Sequence, residues 1–189
     1  ICFLLMCFYA IKLNIKTLLV FMPFGLLTFL YAIPFFSGFQ KNLRSIGYLK
    51  IIIVAFVWAG STVFLPVYDA NVDLSNQFYI TIIQRFLLTM ILILPFDIRD
   101  VKYDAVSLQT IPKKIGIEKT KKLGYILLVL CLILEFMVAP NASFRTVFLL
   151  IFMTVLILLM RSSEKKSKYY SSFLVESIPI VWWLLLSIV

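Results

Sequence analysis

Only five aspartates occur in the 189 residues of this chain, and three of them, Asp97, Asp100 and Asp104, fall within eight positions directly after a long apolar stretch. On a helix, at ~100° per residue, these three side chains crowd one face within roughly 60° of one another. Like charges held that close repel unless a cation sits among their oxygens. Hard oxygen donors suit Mg²⁺, which binds through a few carboxylates and completes its shell with water and substrate phosphates. Asp97, Asp100 and Asp104 are therefore candidate metal ligands and candidate catalytic residues.

The residues that follow extend the same chemistry. Ser107 and Thr110 supply hydroxyls, and Lys113 and Lys114 supply adjacent ammonium groups, with Lys119, Lys121 and Lys122 behind them. A diphosphate held through Mg²⁺ on the carboxylates would have its remaining charge met by such cations. Pro112 disfavours helix at Ile111 and Gly116 permits a turn, so a cap or short broken helix over the membrane surface is expected here. Taken singly, the lysines read first as members of a basic loop. Three acids on one face beside a bilayer are much harder to explain without a ligand.

Composition sets the elements that must hold these groups. The chain is 62% hydrophobic and 14% charged, with mean hydropathy +1.03, far outside the range of water-soluble domains. Apolar segments run at about 1–11, 17–36, 51–68, 79–96, 123–140, 146–160 and 173–189, most of them near the ~20 residues that a bilayer crossing needs. The first is too short to span alone. It opens on Ile1 without a basic flank, so it reads as the tail of a helix rather than a signal peptide, and the chain as a fragment. The hydrophilic intervals are too short for a separate soluble domain. The expectation is one all-α membrane domain over 1–189, a polytopic bundle of about seven helical segments.

Basic residues orient that bundle. Lys and Arg number 3, 7 and 4 in the intervals 37–50, 97–122 and 161–172, against 2, 0 and 1 in the alternate intervals 12–16, 69–78 and 141–145. By the positive-inside rule the aspartate-rich loop is expected in the cytoplasm. The net charge of +9 then needs no nucleic-acid partner, because topology and anionic headgroups account for it. Asp69 and Asp73 belong to the opposite side, a bilayer's ~30 Å from Asp97, and read as a solvated loop.

The chain has no histidine, which removes His-based triads and His-ligated metals. Cys2, Cys7 and Cys131 lie in apolar segments without ligand spacing. Arg85 and Glu135 sit at similar depths inside their spans and are expected to pair. Glu176 is expected to reach Lys165, Lys166 or Lys168. Trp182 and Trp183 suit an interfacial belt.

Asp97-Ile98-Arg99-Asp100-Val101-Lys102-Tyr103-Asp104, followed by Gln109-Thr110-Ile111-Pro112 and Gly116, resembles the second aspartate-rich motif of the UbiA superfamily of intramembrane prenyltransferases. Residues 43–59, from Leu43 and Arg44 through Lys50 to Ala59, are similar to a cytoplasmic loop and the helix after it in that family. The resemblance implies a parent of about nine helices, of which this chain would hold helices 3 to 9. It implies Mg²⁺ on Asp97, Asp100 and Asp104; Arg44, Lys50, Lys113 and Lys114, by their charge and side of the membrane, and the Thr110 hydroxyl are the candidates for touching the phosphate or the acceptor. The implied activity is transfer of a prenyl group, as an alkyl or aryl group other than methyl, from a prenyl diphosphate to a hydrophobic acceptor such as an aromatic or quinone precursor. The implied location is a bacterial inner membrane.

The chain also departs from the pattern. The family's first aspartate-rich motif is absent, since nothing acidic precedes Asp69, so the chain alone is expected to be inactive. Phe96 stands where many members carry Asn, and the gap from Asp104 to Thr110 is one residue shorter than usual. A non-catalytic membrane scaffold or transporter is the alternative. The CDP-alcohol phosphotransferase type is disfavoured because no Asp-Gly occurs anywhere in the chain.

Overall fold

A bilayer offers the backbone no hydrogen-bond partner, so a chain this apolar must close its bonds within each crossing. The computed structural model describes residues 8, 12–33, 47–103, 110–167 and 169–189, and among these it contains helices and no strand. Helix α1 is Ile15–Ala32. Helix α2, Gly47–Ala59, runs without a break through a π-helical turn, Gly60–Phe64, into α3, Leu65–Asp69. Helix α4 is Asn76–Asp100, α5 is the short Ile111–Ile115, α6 is Ile117–Val138 and α7 is Ala142–Arg161. A second π-helical turn, Tyr170–Val175, leads into α8, Ile178–Ile188.

Five stretches, Ile15–Ala32, Leu49–Asp69, Asn76–Asp100, Ala142–Arg161 and Tyr170–Ile188, are long and apolar enough to cross a membrane. The protein is a multi-pass integral membrane protein with an all-α helical bundle. Helix α6 carries lysines in its first turns, but it lies antiparallel along α4: Gly124 sits by Leu94, and Cys131 and Glu135 sit by Gln84. It therefore occupies the same slab as α4. Ile126, Leu130, Ile133 and Met137 are exposed on its outer face, which suits lipid contact. The apolar segment expected over 1–11 falls almost wholly outside the described residues.

Local signals set the helix ends. Asn14, Ser75 and Asn141 cap α1, α4 and α7, each accepting a backbone N–H of the first turn, as N-cap side chains do. Pro66 carries no N–H and so cannot donate to the turn before it. The chain widens just ahead of it, where the Leu65 N–H reaches five residues back to the Gly60 carbonyl. Ser61 and Thr62 hydroxyls donate to the Val57 and Trp58 carbonyls at 2.7 Å each. Helix α4 outlasts its apolar stretch and ends at Asp100, followed by a turn over 101–103. Of the three aspartates expected on one face, Asp97 and Asp100 lie on α4; Asp104 lies outside the described residues.

Helix α4 is the central member. Gln84, Leu88, Ile91, Leu94 and Ile98 are buried at helical spacing along it, and they meet Leu128 and Cys131 of α6 and Phe148, Ile151, Val155 and Leu159 of α7. The ends are tied at both membrane faces. Thr17 of α1 donates to Asp69 of α3 at 2.7 Å, and at the opposite end Lys50 of α2 reaches Asp97 of α4 at 2.8 Å. Asp69 and Asp97 thus lie at opposite ends of the bundle, as the charge count implies.

One expectation about intramembrane polar groups is corrected. Glu135 takes its close contact from Gln84, whose Nε2 donates to Oε2 at 2.7 Å and to the Cys131 carbonyl at 3.2 Å. Arg85 feels the Glu135 charge, but its guanidinium lies over the Trp182 ring at 3.5 Å. The next residue along the helix points elsewhere, so the neutral amide and not the arginine reaches the acid. Trp182 is accordingly buried and packs edge-on against Phe148, while Trp183 is exposed. Glu176 acts electrostatically on Arg99; of the lysines it was expected to reach, Lys168 lies outside the described residues.

Side chains of α4 and α7 press on α6 at Gly124, where an added Cβ would stand 2.5 Å from Leu159 Cδ2 and 3.0 Å from Leu94 Cδ1. Small residues at such crossings let membrane helices pack through van der Waals contact. Replacing Gly124 by Val is expected to destabilise the bundle by ~1–3 kcal/mol through overpacking, read as a lowered thermal midpoint in detergent. Gly25, with open space around it, should accept Ala with no such shift.

Candidate functional site at the basic end

The last turn of α4 carries Asp97, Arg99 and Asp100, and the start of α2 carries Lys50. Asp97 is fully buried, and Lys50 Nζ donates to its Oδ1 at 2.8 Å. Two residues 47 positions apart are thereby joined at the end of the bundle that also holds the lysine-rich loop. Asp100 meets its own neighbour: Arg99 Nε donates to Oδ1 at 2.7 Å and an Arg99 terminal nitrogen to Oδ2 at 3.0 Å. This two-pronged geometry is the strong form of the arginine–carboxylate pair.

Thr110 occupies the position before α5 and is fully buried, and its hydroxyl has no hydrogen-bond partner among the described residues. Ile111 and Pro112 are buried behind it, and Ile111 joins the core cluster that contains Ile98. Pro112 occupies the first turn of α5, where its missing N–H costs nothing. Gly116, at φ 85°, turns the chain from α5 into α6. The expected broken helix after the aspartates is therefore present. It holds Lys113 half-buried and Lys114 exposed.

Of the residues chosen for their chemistry, the fold brings Asp97 and Lys50 into contact and sets Asp100 one turn beyond. Asp104 and Arg44 lie outside the described residues. Among the described residues no three acids, cysteines or histidines come together as metal ligands. Sequence reasoning did not single out Arg99 as the partner of Asp100. Side chains at i and i+1 diverge on a helix, so the Arg99–Asp100 pair follows only from the reach of a long arginine bending along the surface. Ser171, buried in the second π-helical turn without a partner for its hydroxyl among the described residues, carried no sequence signal.

No family model, curated protein or solved structure matches this chain. The chemistry of the site therefore rests on its own residues.

Burial makes the Lys50–Asp97 pair costly to break. Removing one partner strands a buried charge, at ~3–5 kcal/mol, whereas replacing both by apolar groups of similar size is often neutral. Lys50→Met is thus expected to lower the thermal midpoint markedly, and Lys50→Met with Asp97→Leu to recover most of the loss. Urea or thermal unfolding of the purified protein in one detergent compares the two variants.

Proposed function

We propose that this chain is part of a Mg²⁺-dependent intramembrane prenyltransferase of the UbiA type, with the basic end of the bundle facing the cytoplasm of a bacterial inner membrane. The observation that carries the reading is the buried Lys50–Asp97 contact. It unites, at the end of a membrane helix, a carboxylate and a cation that were each chosen for diphosphate chemistry. The substrates are a prenyl diphosphate and a hydrophobic acceptor, an aromatic or quinone precursor.

The donor set fits the metal in kind. Asp97 and Asp100 stand one helical turn apart and offer hard oxygens, the donors Mg²⁺ prefers; Asp104 would complete the set. Mg²⁺, when bound, supplies positive charge to the leaving diphosphate. The remaining work belongs to the chain. Lys50 holds the Asp97 carboxylate in place, and Thr110 offers a buried hydroxyl at the loop. Lys113, Lys114 and Arg44 supply cations for phosphate oxygens. In the reaction the allylic C–O bond breaks and the diphosphate departs with the electron pair. The acceptor's π electrons capture the allylic carbocation, and the acceptor then gives up a proton. Surrounding lipid and apolar helices keep water from that cation.

One observation favours a second reading, a non-catalytic scaffold or transporter. Asp97 and Asp100 each already lie against a cation of the chain itself, so their charge is partly balanced without a metal. Transfer of a labelled prenyl group in membranes carrying the full-length protein separates the two. Asp97→Asn and Asp100→Asn remove charge at nearly constant volume and are expected to lower Mg²⁺-dependent transfer by at least ~100-fold, as when a main stabiliser of developing negative charge is lost. Lys113→Ala should cost less, because Lys114 stands beside it. Parental rates and unchanged Mg²⁺ dependence in both Asn variants would favour the scaffold or transporter.

A further inference from the structure

Helix α4 ends on Asp100. A carboxylate at a helix C-terminus faces the negative end of the helix dipole and is stabilised by a cation set beside it. Arg99 supplies that cation: its Nε donates to Asp100 Oδ1 at 2.7 Å and a terminal nitrogen to Oδ2 at 3.0 Å, so the guanidinium lies along the carboxylate edge and engages both oxygens. Lys50 plays the same part for Asp97 at 2.8 Å. The two pairs differ in setting. Asp97 is 0% exposed in its pair with Lys50, whereas the Arg99 and Asp100 side chains keep 13% and 29% of their surface. The first pair ties α2 to α4. The second joins neighbours on one helix, so its two hydrogen bonds can open without parting helices.

A second acid acts on the same guanidinium. The π-helical turn Tyr170–Val175 packs against α4, and Glu176, the residue that caps it, is exposed and attracts the Arg99 charge. The Glu176 N–H closes the turn on the Ser171 carbonyl at 3.3 Å, which fixes where its side chain starts. Such π-helical turns are frequent at functional sites. Arg99 thus has two carboxylates to choose between, hydrogen-bonded to Asp100 and attracted by Glu176. A dication arriving at Asp100 meets the Arg99 charge one hydrogen bond from its ligand oxygens, and like charges at that separation repel. A carboxylate has lone pairs enough for both cations, so charge and not crowding forces the choice.

Resting on the reading of Asp97 and Asp100 as metal ligands, we propose that Arg99 is the resident counter-ion of Asp100, holding the carboxylate until Mg²⁺ takes its place, whereupon Glu176 receives the guanidinium. Arg99 is then a positioning residue that sets the metal affinity of the site. Lys50, buried with Asp97, stays where it is. Asp100 is never left without a cation at the end of α4, before loading or after, and loading moves one part-exposed side chain only.

The test is titration of the full-length protein in detergent with Mn²⁺, which takes the same oxygen ligands and whose free ion is counted by its paramagnetic resonance signal. Arg99→Gln is expected to tighten Mn²⁺ binding about tenfold, the scale of one charge-assisted hydrogen bond. Arg99→Lys keeps the charge and loses the fork, so it should fall between the parent and Arg99→Gln. With Asp100→Asn the shared ligand is gone, and Arg99→Gln added to it should shift affinity by less than about twofold. Glu176→Gln should weaken binding about threefold, the scale of an exposed ion pair, and should have no effect once Arg99 is replaced by Gln. Unchanged or weaker binding in both Arg99 variants, with parental binding intact, overturns the proposal and leaves the metal reading standing. An equal gain from Arg99→Gln with and without the Asp100 carboxylate also overturns it, since Arg99 would then act as a remote charge. A full threefold loss from Glu176→Gln in the Arg99→Gln background overturns Glu176 as the acceptor. Absence of Mn²⁺ binding in the parent and in both Arg99 variants overturns the metal reading itself, and this inference with it.

Discussion

Inside a bilayer no water is at hand to satisfy a stray polar group, and this constraint governs every polar residue of α4. Along one helix it carries Gln84, Arg85, Asp97 and Asp100, each met by a different neighbour: the Glu135 carboxylate, the Trp182 ring, the Lys50 ammonium and the Arg99 guanidinium. The partners come from α6, α8, α2 and α4 itself. Satisfying the polar groups of α4 thereby draws the other helices around it. Hydrophobic burial cannot do this alone, because lipid is as apolar as a leucine-rich helix face.

The two ends of the bundle use that constraint differently. At the basic end the charged groups are paired and deeply set, with a fully buried carboxylate beside a lysine. A short helix begun by Thr110 and Pro112 packs in close by, against α4 and α6. At the other end arginines rest on aromatic faces. Aromatic stacking holds a guanidinium in place without neutralising it. The two ends are separated by the apolar centre built on Leu88, Ile91, Leu128 and Ile151.

Close approach complements the polar contacts. Gly124 lets α4, α6 and α7 meet, and Gly60 admits the Phe24 ring of α1 where an added Cβ would lie 2.1 Å from it. The π-helical turn at Gly60–Phe64 coincides with that contact and with Pro66 just beyond. Backbone irregularity is tolerated here because hydroxyls of Ser61 and Thr62 donate to carbonyls of the preceding turn.

The sequence by itself determined the membrane setting, the helical class and the alternation of basic and non-basic ends. These depend on local apolar length and on charge counts, which need no knowledge of neighbours. It also singled out Asp97, Lys50 and the Thr110–Gly116 stretch, because acids beside a span and a Pro–Gly pair are visible in one dimension. Only the tertiary structure decided who partners whom. Arg85 and Glu135 stand at matching depths, yet depth says nothing of azimuth, and Gln84 one residue away faces the acid while Arg85 faces Trp182. Trp182 and Trp183 are adjacent and chemically identical, but the helix turns one into the core and the other outward. The end of α4 at Asp100 likewise limits a helical face that the spacing of three aspartates extends further. Periodicity reports distance along a helix; rotation about it, and the place where it stops, depend on packing against other helices.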